Sequence, residues 1–433
     1  MKERRPFGSH RTYLDFSLAF LKIIGILDYT PTTLFLRIKG NVIKAFNWAI
    51  ALCVTTSLAA DVSQNYSDLE ALTNDVGYLF PMLGILLKTL AVNLGQKNII
   101  GLIEAVHAPI LKLRYSSELG VLTKIRTTIF YQTLDYIIFA FVLGSTTITI
   151  IVMAVLSETK LPLRGLFPFN ETVLPAYAAV FYIQSWTVMM CSLWILLIET
   201  SAIELIRWKN VQLVILQRNY ENCCNWMEPR ANFEMSDDTY DRIKNFSFFK
   251  LKDEDFKINL FVPFDENEVN VKNDSFALRY KTCLKHHRRI INHVEDYNDF
   301  FSVLQFFTVF ITCLFVCLCL FQIVVNKQRK AAILNTGILM CSEMCHLGFW
   351  CIFGNLLMDE AETIHQSQYN SGWENELGSE VRHLVINSLI ESKEPLKISA
   401  GKFFVLSLAT YLAVIQKSYS YFAILNTVHS DDE

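Results

Sequence analysis

Seven stretches of this chain are long and apolar enough to cross a lipid bilayer. They are Val42–Ala60, Val76–Gly95, Leu134–Leu156, Val173–Leu205, Phe300–Val325, Ala331–Met358 and Lys402–Asn426. Covering the hydrocarbon core takes about 20 largely apolar residues in a helix, and backbone polar groups in lipid must be satisfied internally. The expected fold is therefore an all-α membrane protein of seven transmembrane helices. The fourth stretch exceeds one bilayer and should tilt or run past the membrane. Charged residues make up only 19% of the 433 residues, against about 25% for an ordinary soluble chain, which fits burial in lipid. With a formal net charge of -3 there is no basic field to hold nucleic acid, so no nucleic-acid partner is expected.

Loop charges set the orientation. Lys2, Arg4, Arg5, Arg11, Lys22, Arg37 and Lys39 precede the first span, whereas the loop Asp61–Asp75 has four acids and no Lys or Arg. The second loop carries Lys97, Lys112, Arg114, Lys124 and Arg126; the third has only Lys160 and Arg164. The long fourth loop is again rich in bases, including Lys285, Arg288 and Arg289. A cytosolic N-terminus and an extracellular C-terminus follow, although Lys327, Arg329 and Lys330 in the short fifth loop run against the rule. Sequons at Asn65 and Asn170 then lie outside and are the glycosylation candidates; those at Asn245 and Asn273 lie inside. The organisation reads as a cytosolic or interfacial segment 1–41, a four-span half 42–205, a cytosolic loop 206–298, a three-span half 299–426 and a tail 427–433. The apolar run Ser17–Leu27 is broken by Lys22 and lacks a small-residue cleavage site, so no signal peptide is read.

Function classes narrow accordingly. A G-protein-coupled receptor has its N-terminus outside; this chain also lacks Asp-Arg-Tyr after the third span and Asn-Pro-x-x-Tyr in the seventh. No phosphate loop, nucleophile elbow or His-Glu-x-x-His supports an enzyme, and no cofactor is implied. A transporter would show internal repeats or broken helices; Pro81 and Gly84 interrupt the second span, without a matching half. Eight of the 11 Cys lie in apolar runs and read as reduced, packed thiols. Cys223-Cys224 with His286-His287 has no zinc-site spacing, so no metal is expected.

The C-terminal third carries a more specific signal. Asp299 leads into Phe300-Phe301-Ser302-Val303-Leu304-Gln305-Phe306, with Cys317 later. Cys351-Ile352-Phe353-Gly354 is followed by Leu357, then by Tyr369 and Trp373. The last span ends Lys417-Ser418-Tyr419-Ser420-Tyr421-Phe422-Ala423-Ile424-Leu425. In this order the pieces resemble the insect odorant receptors, and Phe167-Pro168 and the stretch Pro175 to Gln184 also fit. The related gustatory receptors, the nearest alternative, end in a different tail.

The resemblance implies an odour-gated, nonselective cation channel of four subunits, in the plasma membrane of olfactory neurons. It implies a co-receptor partner, a small volatile ligand, contact with membrane lipid and cations in the pore. The tail Asn426-Thr427-Val428 and the fourth loop point to a tuning subunit rather than the co-receptor. The gate is implied on the last helix, where Ile424 and Val428 share a face at i, i+4 with Ser420 and Tyr421 nearby. The ligand pocket is implied in the outer half, between spans two, three, four and six. There the chain offers Val76, Tyr78, Leu79, Phe80 and Leu83, then Ser145, Thr149 and Met153, then Tyr177, Phe181 and Tyr182, and finally Ile338 and Met340. Subunit contacts are expected near Tyr369 and Trp373 and a helix around Glu380–Leu389. Within the membrane, Lys88 should snorkel, Glu199 and Glu204 should meet water or a neighbouring subunit, and Glu343 should pair with His346.

Overall fold

A computed structural model describes residues 21–22, 34–66, 69–113, 116, 118–156, 161–169, 173–224, 239, 241, 243, 247, 251–265, 268, 274–327, 330–376 and 378–432. Its helices are α1 (Leu34–Gln64), α2 (Leu69–Leu94), α3 (Gln96–Leu113), α4 (Leu119–Leu156), α5 (Leu174–Glu221), α6 (Phe276–Val325), α7 (Lys330–Tyr369), α8 (Ser379–Glu391) and α9 (Leu408–Asp432). A two-stranded antiparallel hairpin, β1 (Ser399–Ala400) and β2 (Phe404–Val405), precedes α9, with Ser399 opposite Val405. Gly401 turns it at φ 64°, a left-handed conformation that glycine adopts without strain.

Each expected span is found as a helix, with shifted ends. α4 starts at Leu119 rather than Leu134, α5 runs to Glu221 rather than Leu205, α6 starts at Phe276 rather than Phe300, and α7 runs to Tyr369 rather than Met358. The extensions carry charged residues that a hydropathy boundary rejects; Lys209 and Arg279 are buried in protein, whereas others such as Lys281 and Asp359 are exposed. The seventh span begins at Leu408, not Lys402, because residues 399–405 form the hairpin. Six helices are long and apolar enough to cross a membrane by length and composition alone. α9 is long enough at 25 residues but carries Gln416, Lys417, Ser418, Ser420 and Asn426.

α7 packs on α5 and α6, α9 on α6, α4 on α5, and α2 on α6. At the Cys351–Leu357 motif, Cys351 and Leu357 are fully buried. A Cβ at Gly354 would collide with the Leu406 carbonyl oxygen, so glycine permits the close approach of α7 to the strand leading into α9. The second loop, expected as a connection, contains α3. Its Ile99, Leu102, Ile103, Val106, Ile110 and Leu113 recur at helical spacing and are buried. The expected short helix near Glu380–Leu389 is α8. The basic stretch Lys281–Asn292, expected as a solvated helix, is only half so: Lys281, Lys285 and Arg288 are exposed, whereas His286 and His287 are buried. All 11 cysteines are unbridged.

Candidate functional site

A cavity of about 130 Å³ lies between α2, α4, α5, α6 and α7. A volume of about 150 Å³ is enough to hold benzene, so the space suits a small organic molecule. Its wall is apolar for the most part: Met82 and Ile85 from α2, Leu143 and Ile150 from α4, Val188, Cys191 and Ile195 from α5, Phe315 from α6 and Leu339 from α7. Tyr78, Thr146, Ser192, Ser342 and Glu343 add polar groups. Apolar walls with a few placed polar groups are the ordinary form of a small-molecule site.

Local chemistry builds the wall. Pro81 has no N–H for the carbonyl of Gly77 four residues earlier, and both residues border the cavity. On α4, Thr146 donates to the Leu143 carbonyl at 2.9 Å. The neighbouring Thr147 meets the Ser192 hydroxyl at 2.7 Å, tying α4 to α5 across one side. Leu163 closes another side from outside the helices. The buried Gln184 fixes it, accepting from the Leu163 N–H at 3.1 Å and donating to its carbonyl at 2.9 Å. The Leu166 N–H donates to the Ser57 carbonyl at 3.1 Å, anchoring the same segment on α1.

Of the residues singled out in the sequence, Tyr78 lines this cavity, and its hydroxyl accepts from Asn335 Nδ2 at 3.5 Å. The others are placed elsewhere. Val76 is half-buried off the wall, Leu79 is in the core, and Phe80 and Leu83 are exposed on the outside of α2. Ser145 and Thr149 donate to the Val142 and Ser145 carbonyls of their own helix, both at 2.8 Å. Tyr177, Phe181 and Tyr182 form a ring cluster with centroids 6.1 Å apart, and Tyr182 is 72% exposed. Ile338 and Met340 are half-buried on either side of Leu339, and the side chain of Met153 lies outside the described residues. The physical reason is angular: one residue is 100° of helix rotation, so the wall-forming Thr146, Ile150 and Leu339 are each one position from the residues named.

Beneath the cavity is a second, of about 50 Å³, sharing Pro81, Ile85, Ile195 and Glu343 with it and lined also by Lys88, Glu199 and His346. Here two sequence expectations are corrected and a third is extended. Lys88 does not snorkel: its Nζ donates to Glu199 Oε1 at 2.5 Å. Glu199 is not at a wet end but 1% exposed, and also accepts from Trp350 Nε1, while Glu204 is buried as well. The expected pair of His346 with Glu343 is present, Nδ1 lying 3.7 Å from the carboxylate, and His346 Nε2 also lies 3.4 Å from Glu199. Burying a carboxylate costs several kcal/mol unless it is paired and bonded, and three donor residues converge on Glu199. A further pair, Asp135 with Arg207, was invisible in the sequence because its members sit on different helices; the guanidinium also lies 4.7 Å from the Phe353 ring.

On α9, Val414 and Ser418 face α6, where Ser418 Oγ lies 3.0 Å from the Cys313 carbonyl. Ser420, Tyr421, Ile424 and Val428 are all exposed in the single chain. Tyr369 is exposed at the end of α7, and Trp373 packs half-buried on the core. Asn65 donates to Asp61 Oδ1 at 3.1 Å; Asn170 lies outside the described residues.

Comparison with known proteins gives one consistent answer. Odorant receptor 13a of Drosophila melanogaster is 28% identical over 166 residues, 36% of this chain and 40% of that protein. Odorant receptor Or2 of Anopheles gambiae is 24% identical over 151 residues, 35% of this chain and 39% of that protein. The chain thus aligns with about two-fifths of the length of these relatives. The insect olfactory receptor OR5 from Machilis hrabei, solved in complex with eugenol, shares the fold with a TM-score of 0.73 at 11% identity, over 96% of this chain and 98% of that one. The 7tm Odorant receptor family profile matches residues 68–419, well over half of the sequence. This multi-pass membrane protein belongs to the 7tm odorant receptor family.

Proposed function

We propose that the chain is an odour-tuning subunit of a ligand-gated, nonselective cation channel. Four subunits, this chain and a co-receptor among them, surround one pore in the plasma membrane of olfactory neurons, with the N-terminus cytosolic and the C-terminus extracellular. A small volatile occupies the cavity between α2, α4, α5 and α7, and discrimination is mainly by shape, since one methylene is worth about 1–3 kcal/mol in an apolar pocket. The exposed face of α9 lines the pore, and rings of Ile424 and Val428 close it by excluding water. Ser420 and Tyr421 face the hydrated ions; Tyr369 and Trp373 lie at subunit contacts. Ser145, Thr149, Tyr177, Phe181 and Tyr182 act on ligand from outside the wall, through the packing of α4 and α5. The observation that carries the reading is a mainly apolar cavity between helices in a chain of this family.

The test is current in a heterologous cell expressing this chain alone and then with a co-receptor, across an odour panel. Odour-evoked cation current that persists when G-protein signalling is blocked is expected; current that vanishes with the block overturns the reading. Ile424→Ala and Val428→Ala should each raise the current without odour, and unchanged leak in both removes them from the gate.

A further inference from the structure

Two carboxylates that line the smaller cavity, Glu199 and Glu343, are treated very differently. Glu199 is met by Lys88, Trp350 and His346. Glu343, one helix away, has as its nearest charged partner among the described residues His346 Nδ1 at 3.7 Å, longer than a hydrogen bond. Its side chain is 24% exposed and borders both cavities, at the floor of the larger and the side of the smaller. The cations nearby cannot serve it fully, because Lys88 is held by Glu199 at 2.5 Å and His346 is shared with the same carboxylate.

An acceptor-only group is thus left facing a mainly apolar space whose other polar groups are neutral hydroxyls, and a carboxylate there lacks a charged donor within hydrogen-bond distance. A neutral ester or ketone brings only further acceptors toward it. An amine brings donors and, near neutral pH, the opposite charge, forming a charge-assisted hydrogen bond about twice as strong as a neutral one. The Gly77 carbonyl, deprived of its helical donor by Pro81, adds an acceptor to the same wall.

Resting on the reading of this cavity as the odour site, we infer that it takes a small volatile amine, with the nitrogen bonded to Glu343 and the hydrocarbon part against Leu143, Ile150 and Leu339. The dimensions admit one six-membered ring or a short alkyl chain.

The experiment compares benzylamine, benzyl alcohol and toluene, which share one skeleton, as agonists of the full chain expressed with a co-receptor. Benzylamine should be more potent than either by about 10- to 100-fold, the range for a hydrogen bond to a charged group. Glu343→Gln should collapse that ratio toward one, and Glu343→Asp, which keeps the charge, should restore part of it; surface labelling of intact cells verifies each variant. Benzylamine no more potent than its two isosteres in the natural chain overturns the inference whether or not the variants reach the surface, as does a ratio that survives Glu343→Gln. A neutral odour that opens the channel while all three compounds fail also overturns it, yet leaves the channel reading intact. Failure of every odour to evoke current defeats the channel reading itself, and the inference with it.

Discussion

The two halves of α5 differ in composition, the first free of charged residues and the second carrying five, and they have opposite surroundings. From Leu174 to Leu196 the buried residues Val180, Gln184, Thr187, Cys191 and Trp194 form a stripe, and Tyr182 is 72% exposed. From Leu197 to Tyr220 only Arg218 is exposed. Polar side chains in this second half cross to other elements: Gln212 to the Val106 carbonyl at 2.8 Å, Gln217 to the Glu360 carbonyl at 2.7 Å, and Asn219 both to and from Val262. In the first half Thr187 bonds only its own helix, and the crossing bonds are those of Gln184 to Leu163, Trp186 to Asn47 and Ser192 to Thr147. One half is a stave against lipid that borders the cavity; the other is the axle of a protein core. Ligand should therefore act on the first half while the second holds its position.

The sharpest test of that division is Glu199→Leu at the boundary. It leaves Lys88 buried without its carboxylate and should cost about 3–5 kcal/mol, read as lost surface expression and a lower thermal midpoint of detergent-extracted protein. An unchanged midpoint would mean that the junction carries no tension between the halves. Next in size, Leu339→Trp fills the cavity from α7 and should raise half-maximal odour concentrations at least ~10-fold, with surface labelling preserved. Equal loss of labelling and sensitivity would make the cavity ordinary packing.

A smaller effect is expected from Glu268, beside the second half. Burial opposes its charge, but the hydrogen bond and charge of His286, with Nε2 at 2.8 Å, and then Lys285 outweigh it and hold the carboxyl below its usual range. A depressed folded value stabilises above the unfolded carboxylate value of about 4.3, and that stability is lost as pH falls through the lower folded value. Between pH 6 and pH 3, Glu268→Gln should flatten the fall of the thermal midpoint relative to the natural chain. The smallest is Lys112→Ala, which breaks an exposed pair with Asp265 at 2.7 Å and should change stability by less than about 1 kcal/mol. A larger loss would mean that α3 is clamped by charge rather than by its apolar stripe.

Much of the fold was legible in the residues. Apolar runs near 20 residues gave seven helices, and α8 was placed within two residues of its observed ends. The helices around the cavity were also expected, but not their faces: Tyr78 was found, while Thr146, Ile150, Leu339 and Glu343 were missed. A spanning helix is apolar on every side, so periodicity gives no sign of which face meets protein and which meets lipid. Gln184 lay within the recognised stretch, but its bond to Leu163 depends on a loop whose path no local rule supplies.

What the residues determined alone was local: which segments could shed water for lipid, where bases would hold loops, and the order of motifs in the last third. Those properties follow from transfer free energies summed along a few turns of chain. Tertiary packing decided the rest. It brought Lys88 to Glu199 across 111 residues, buried Lys209 in the extension of α5 and Arg279 in that of α6, and left Glu343 facing a cavity. A charge in a membrane helix must find a partner or a wet space, and only the arrangement of neighbouring helices settles which one it gets.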